Sequence, residues 1–60
     1  LSVNPEIAIT YDENGNVTKV ESRNDEGAKI LENYTGYEGK ATREVVTELV
    51  TAIGEAGYFV

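Results

Sequence analysis

An Asn-Gly pair at positions 14 and 15 separates two stretches in which apolar and polar residues alternate. Asn-Gly in that setting is the strongest short-range signal for a β-hairpin, because both residues tolerate the positive φ angles that tight hairpin turns require. A turn at Asn14-Gly15 predicts four cross-strand pairs: Glu13 with Asn16, Tyr11 with Thr18, Ile9 with Val20, and Ile7 with Ser22. The same register predicts one shared apolar face, made of Ile7, Ile9, Tyr11 and Val20. Pro5 lacks the N–H that a strand ladder needs, so the first strand must bulge, bend or lie at an edge there.

A short helix is predicted after the hairpin. Asn24 or Asp25 can cap it, and the pattern extends to about Tyr34. Its inward-facing residues form a small set: Leu31, Tyr34 and either Ala28 or Ile30. A pattern this short leaves the choice between Ala28 and Ile30 open.

The second predicted helix has the clearest amphipathic pattern in the chain, with Thr42 as its N-cap. Its apolar residues recur at helical spacing and form one stripe: Val45, Val46, Leu49, Val50 and Ile53. Gly57 is placed to end the helix in a left-handed turn, and Tyr58-Phe59-Val60 is typical of the start of another strand. The predicted fold is therefore a single small α+β domain over residues 1–60. It consists of an antiparallel sheet of two or three strands with two helices packed on one face.

The composition excludes several classes of function. The chain has 60 residues, a net charge of −6, no cysteine and no histidine. Thiolate metal sites and every Ser-His or Cys-His catalytic pair are thereby removed. An acidic chain is also unsuited to nucleic acid, whose phosphates are bound by Lys and Arg. We therefore expect no cofactor, no metal and no nucleic-acid partner. No apolar run approaches the roughly 20 residues that span a bilayer, so this segment should not insert into a membrane.

Asn4-Pro5 offers one specific reaction, in which the chain cuts itself. An asparagine side chain is usually attacked by the N–H of the next residue, but proline has none. In the remaining reaction, the Asn4 side-chain nitrogen attacks the Asn4 carbonyl carbon, closes a succinimide and expels Pro5 as a free amine. The reaction needs a near-attack geometry, a donor for the carbonyl oxygen and a proton for the leaving nitrogen. Asn4 and Pro5 are thus the candidate catalytic residues, although an Asn-Pro pair in a sheet is more often a bulge or a strand start.

Several segments occur in a fixed order along the whole chain: Ser2-Val3-Asn4-Pro5-Glu6-Ile7, Asn14-Gly15-x-Val17, Asn24-Asp25-Glu26-Gly27, Ile30-Leu31, a valine-rich helix and Gly57-Tyr58-Phe59. Together they resemble the extracytoplasmic domain of RsgI-type anti-sigma factors. The most specific part is the Val-Asn-Pro-x-Ile segment combined with the Asn-x-x-Gly turn before the first helix.

The resemblance implies both a location and a function. In that family the domain lies just outside a bacterial plasma membrane, within a single-pass membrane protein whose cytoplasmic segment binds a sigma factor. The domain cleaves itself at Asn-Pro, here Asn4-Pro5, and the N-terminal stub stays noncovalently attached until a signal separates it. The chain would then be an excised part of a longer membrane protein. Because the only bond cut is its own, no activity on an external substrate is implied.

Three positions depart from the commoner family pattern: Ser2 replaces Asp, Glu6 replaces Ser and Ala8 replaces Glu. If one of those family residues supplies the acid or base, cleavage here would be slow or would use another donor. The competing interpretation is a non-cleaving structural or binding spacer next to an extracellular sensor.

Overall fold

The structure, a computed structural model, describes residues 3–59. Its elements follow in the order β1 (Ile7–Tyr11), β2 (Val17–Ser22), α1 (Asp25–Leu31) and α2 (Thr42–Glu55). The two strands form an antiparallel sheet, and both helices contribute to a core on one side of it. The predicted α+β class is therefore confirmed, with two strands. Ser2 and Val60, which carry parts of the sequence pattern, lie outside the described residues.

The hairpin turn is longer than the predicted Asn14-Gly15 pair. The Asp12 carboxylate accepts hydrogen bonds from the N–H groups of Asn14 and Asn16, at 2.9 and 3.0 Å. The Gly15 N–H donates to the Asp12 carbonyl oxygen at 2.9 Å, and Gly15 has a φ of 79°. The prediction of a two-residue turn is therefore wrong, because the Asp12 side chain organises a loop that runs from Asp12 to Asn16.

The predicted register holds over most of the hairpin and shifts next to the turn. Two predicted pairs are confirmed: Ile7 with Ser22 and Ile9 with Val20. The pairing of Tyr11 with Thr18 is wrong, because Tyr11 lies opposite Val17 and Thr18 is an extra residue in β2. The Thr18 hydroxyl donates to the Thr10 carbonyl oxygen at 3.3 Å. A β-bulge of this kind changes which residues of the strand face the core.

The bulge directs Val17 inward. In a regular strand Val17 and Val20 would point to opposite faces, yet only 1% and 9% of their surfaces are exposed. Tyr11 is 60% exposed, so its predicted place on the apolar face is wrong. The two valines form the buried core with Val45 and Leu49 of α2. Partly buried side chains surround that core: Ile7, Ile9, Ile30, Leu31, Tyr34 and Tyr37.

Helix α1 is shorter than the sequence predicts. Asn24 is its N-cap, which settles the choice between the two candidate caps. The helix ends at Leu31, and the Tyr34 N–H donates to the Leu31 carbonyl oxygen in a following turn, at 3.1 Å. Ile30 packs against the core whereas Ala28 is exposed, so Ile30 is the inward residue.

Helix α2 begins differently from the prediction. Ala41 is its N-cap and has no side-chain hydrogen bond, so the assignment of Thr42 as the cap is wrong. Thr42 is instead the first helical residue. Its N–H and its hydroxyl both donate to the Gly15 carbonyl oxygen, each at 2.9 Å. The start of α2 is thereby fastened to the hairpin turn.

The C-terminus of α2 confirms the predicted role of Gly57. This residue has a φ of 93°, and its N–H donates to the Gly54 carbonyl oxygen at 3.0 Å. The Tyr58 N–H donates to the Ile53 carbonyl oxygen at 3.3 Å, which completes a Schellman motif. Tyr58 and Phe59 therefore belong to a turn, and the prediction that they open a strand is wrong.

Only one side of the α2 stripe is buried. Val45 and Leu49 are 0% and 4% exposed, whereas Val46 and Val50 are 42% and 48% exposed. A sheet of two strands is too narrow to cover the whole stripe. The uncovered valines line an apolar groove between β1 and α2, together with Pro5, Ile7, Ile9, Leu49 and Ile53.

Candidate functional site

The Asn4–Pro5 bond lies in an irregular segment directly before β1. Asn4 is exposed and Pro5 is half-buried against the apolar groove. The strand begins at Ile7, as expected where a proline removes a backbone donor. Val3 is 47% exposed and outside the strands. The bond is therefore at the surface, and Val3 and Asn4 are not part of the β-ladder.

One side chain contacts the peptide groups on both sides of Pro5. The Asn24 amide nitrogen donates to the Asn4 carbonyl oxygen at 2.8 Å. The Asn24 amide oxygen accepts from the Glu6 N–H at 3.0 Å and from the Gly27 N–H at 2.7 Å. Only this orientation of the amide satisfies all three partners, because its oxygen faces two N–H donors and its nitrogen faces a carbonyl. Asn24 thus brackets Pro5 while it caps α1.

Two backbone features hold the same region together. The Arg23 N–H donates to the Glu6 carbonyl oxygen at 2.8 Å. Gly27 is buried, and a Cβ atom at this position would collide with that same carbonyl oxygen. Glycine therefore allows the first turn of α1 to lie directly against the segment that carries the Asn4–Pro5 bond.

This geometry meets one chemical requirement of side-chain attack on the Asn4 carbonyl. Negative charge develops on that oxygen when a nucleophile adds to the carbon, and a donor about 2.7–3.1 Å away stabilises it. The Asn24 nitrogen lies 2.8 Å from this oxygen in the uncleaved chain, so a donor is already next to the atom on which the charge would form. Pro5 adds a second restriction, because a residue before proline is biased toward extended conformations.

The positions that depart from the family pattern have different surroundings. Glu6 is exposed and Ala8 is half-buried in β1, while Ser2 lies outside the described residues. Ala8 has no group that could transfer a proton. The family glutamate expected at that position therefore has no equivalent on this strand.

Asn24 is the candidate site residue that the sequence interpretation missed, because that interpretation considered it only as a possible helix cap. It lies 20 positions from Asn4 along the chain. The available signal was the hairpin register: extending the pairing of Ile7 with Ser22 by two residues places Asn24 opposite Pro5.

A second polar cluster fastens the linker between the helices to α2. The Tyr34 hydroxyl and the Lys40 ammonium donate to the two carboxylate oxygens of Glu48, each at 2.8 Å. Burial and the hydrogen bond to Glu48 raise the pKa of Tyr34 to about 12. The hydrogen bonds from Lys40 and Tyr34 lower the pKa of Glu48. Tyr34 also stacks on Tyr37 with ring centroids 5.7 Å apart, so these aromatic residues pack the linker.

Neither a metal site nor a membrane-spanning helix is found in the described part of the chain. Within residues 3–59, no group of three or more metal-ligating side chains could hold an ion. Over the same range, no helix is long and apolar enough to cross a bilayer.

The fold and this site define a small α+β module in which a capped helix contacts an exposed Asn-Pro bond. The chain matches, over residues 1–60, the family described as the anti-sigma factor RsgI-like central domain. The chain belongs to this family, and the resemblance predicted from its sequence is confirmed. No curated protein and no solved structure matches it.

Proposed function

We propose that this chain is the self-cleaving extracytoplasmic domain of a transmembrane anti-sigma factor, and that it cuts its own Asn4–Pro5 bond. The observation that carries the proposal is a pair of hydrogen bonds made by the Asn24 side chain, which donates to the Asn4 carbonyl oxygen and accepts from the Glu6 N–H, on either side of Pro5. They hold the bond in place at an exposed site, next to a residue that cannot divert the asparagine into ordinary deamidation. Membership of the RsgI-like family supports the anti-sigma role. Sigma-factor binding itself would belong to another region of the longer protein.

The reaction balances without a cofactor or a second substrate. The Asn4 side-chain nitrogen forms a bond to the Asn4 carbonyl carbon, which closes a five-membered succinimide. The bond from that carbon to the Pro5 nitrogen breaks. One proton from the attacking nitrogen is transferred to the Pro5 nitrogen, which leaves as a secondary amine. Water opens the succinimide in a later step, and each chain reacts once.

Cleavage converts a covalent joint into one that force can break. The piece that ends at Asn4 is then held by noncovalent contacts, one of which is the hydrogen bond from Asn24. Val3 is 47% exposed, so it adds only part of the roughly 1.5–3 kcal/mol that full burial of such a side chain contributes. Weak retention of this kind suits a domain whose stub is withdrawn when a signal arrives from outside the membrane.

The test is the intact mass of the longer natural protein that carries this domain, purified with a tag at each end. We expect two fragments, the second of which begins at Pro5. The variant Asn4→Ala should yield one full-length mass because it lacks the attacking nitrogen. Asn14→Ala is the matched control, since it removes an asparagine from the hairpin turn, and it should cleave like the wild type.

A wild-type protein that remains a single chain through prolonged incubation would contradict self-cleavage and favour the non-cleaving spacer. Fragments that persist in Asn4→Ala would instead assign the cut to another protease. Protease added to intact cells, whose plasma membrane it cannot cross, tests the location. The domain should be digested in these cells if it lies outside the membrane.

A further inference from the structure

We infer that Asn24 is a catalytic residue of this cleavage: its side-chain N–H stabilises the oxyanion that forms on the Asn4 carbonyl during attack. The inference rests on the proposed self-cleavage and assigns to Asn24 a second task beside helix capping. The donor and acceptor atoms are 2.8 Å apart before any reaction takes place.

The donor is preorganised because the other end of the same amide is held twice. Its oxygen accepts from the Glu6 N–H at 3.0 Å and from the Gly27 N–H at 2.7 Å. Rotation of the amide would break both bonds, so the nitrogen keeps its direction as charge develops. A donor that needs no reorganisation accelerates reactions of this type by about 100- to 1,000-fold, judged from the removal of single oxyanion donors in other enzymes.

Capping by itself does not require the nitrogen of Asn24. Asp, Ser and Thr are also favoured N-caps, and each accepts the same backbone hydrogen bond through oxygen. Asparagine is the member of this group whose side chain also carries N–H donors. Here one of those donors is directed at the carbonyl group that the reaction must activate.

Neighbouring residues also fix the position of the Asn24 nitrogen relative to the Asn4–Pro5 bond. The close approach at Gly27 sets the first turn of α1 against Glu6, and the Arg23 N–H holds the Glu6 carbonyl at 2.8 Å. Gly27 and Arg23 therefore act as positioning residues for a contact made by Asn24.

The decisive variant is Asn24→Asp. Its carboxylate can accept from the same two N–H groups and still cap α1, but it offers no donor to Asn4 and places negative charge beside the oxyanion. Cleavage would be followed by intact mass over time during cell-free synthesis of the longer natural protein. We expect the rate to fall at least about 100-fold. The melting temperature would be compared in an Asn4→Ala background, where no chain is cut, and the Asn24→Asp variant should remain folded at the temperature at which cleavage is measured.

The outcomes separate this inference from the proposed function. A folded Asn24→Asp protein that cleaves at the wild-type rate overturns the role of Asn24 and leaves self-cleavage intact. A wild-type protein that never cleaves defeats the proposed function itself. If Asn24→Asp does not fold, Asn24→Ser decides, because its side chain is one bond shorter and keeps a capping oxygen. Slow cleavage by the folded serine variant supports the inference, and wild-type cleavage overturns it.

Discussion

At the turn end of the hairpin, around Gly15 and Val17, backbone groups are bonded directly to the linker and to α2. The Val17 N–H donates to the Lys40 carbonyl oxygen at 2.7 Å, and the Gly39 N–H donates to the Val17 carbonyl oxygen at 2.8 Å. At the opposite, open end, around Asn4 and Glu6, the corresponding connections depend largely on the single side chain of Asn24.

This difference predicts which end of the hairpin is more sensitive to substitution of a side chain. Backbone hydrogen bonds survive most changes of side chain, so the turn end should tolerate substitution. At the open end a change at Asn24 alters the side-chain connections, whereas the backbone hydrogen bond from the Arg23 N–H to the Glu6 carbonyl oxygen is independent of side chains. The exposed Asn4–Pro5 bond lies at the end whose geometry is set by side-chain chemistry, as suits the proposed self-cleavage.

The largest expected effect comes from the core that both ends share. Leu49 is 4% exposed, and Leu49→Ala should lower the free energy of unfolding by about 2–5 kcal/mol. In so small a domain a loss of this size should leave much less of the chain folded, and any cleavage should fall with it. Val50→Ala is the matched control, because Val50 is 48% exposed and its truncation should cost far less. Urea unfolding in the Asn4→Ala background measures both, and equal losses would show that Leu49 is not in the core.

A pair of glycine substitutions compares the two ends directly. Gly27→Ala introduces a Cβ that collides with the Glu6 carbonyl, so it should cost about 1–3 kcal/mol and slow cleavage sharply. Gly15→Ala meets no neighbouring atom but must hold a φ of 79°, which costs about 1–2 kcal/mol. Its cleavage rate should match that of the wild type while the domain is folded. Equal slowing by the two variants, measured by intact mass, would erase the distinction between the ends.

The smallest expected effect is the pH dependence of the Glu48 cluster at the turn end. The pKa of Glu48 is lowered in the fold by Lys40 and Tyr34, so its contribution to stability is present above its unfolded pKa and disappears as the pH falls through the folded value. The side chain is 35% exposed, so the effect should be modest. The melting-temperature difference between wild type and Glu48→Gln should therefore vanish on acidification. A difference that persists unchanged in acid would contradict the ionised contact.

Local rules predicted much of the fold because they act over a few residues. The break at Pro5, a cap at Asn24 or Asp25 and the left-handed turn at Gly57 each depend on the chemistry of one residue and its near neighbours. The pairing of Ile9 with Val20 followed from alternation around the turn. These features needed no knowledge of the tertiary structure.

The remaining features depend on tertiary structure, which the alternation of apolar and polar residues does not predict. The extra residue Thr18 brings Val17 to the same side as Val20, and an extra residue in a strand leaves no mark in the hydrophobic pattern. Val46 is exposed because the sheet is only two strands wide, and the sequence of α2 carries no information about the width of the sheet. The contact of Asn24 with Asn4 requires the register and the helix cap together, so neither rule alone predicts it.

The groove beside α2 has a consequence for handling the domain in solution. Val46 and Val50 present an uncovered apolar strip, and a net charge of −6 near neutral pH keeps neighbouring molecules apart. That mutual repulsion fades as the medium approaches the isoelectric point of about 4.3, while the strip remains. Colloidal attraction between copies should therefore be strongest in mild acid, so the acid titration of Glu48 belongs in dilute samples, with light scattering to follow particle size.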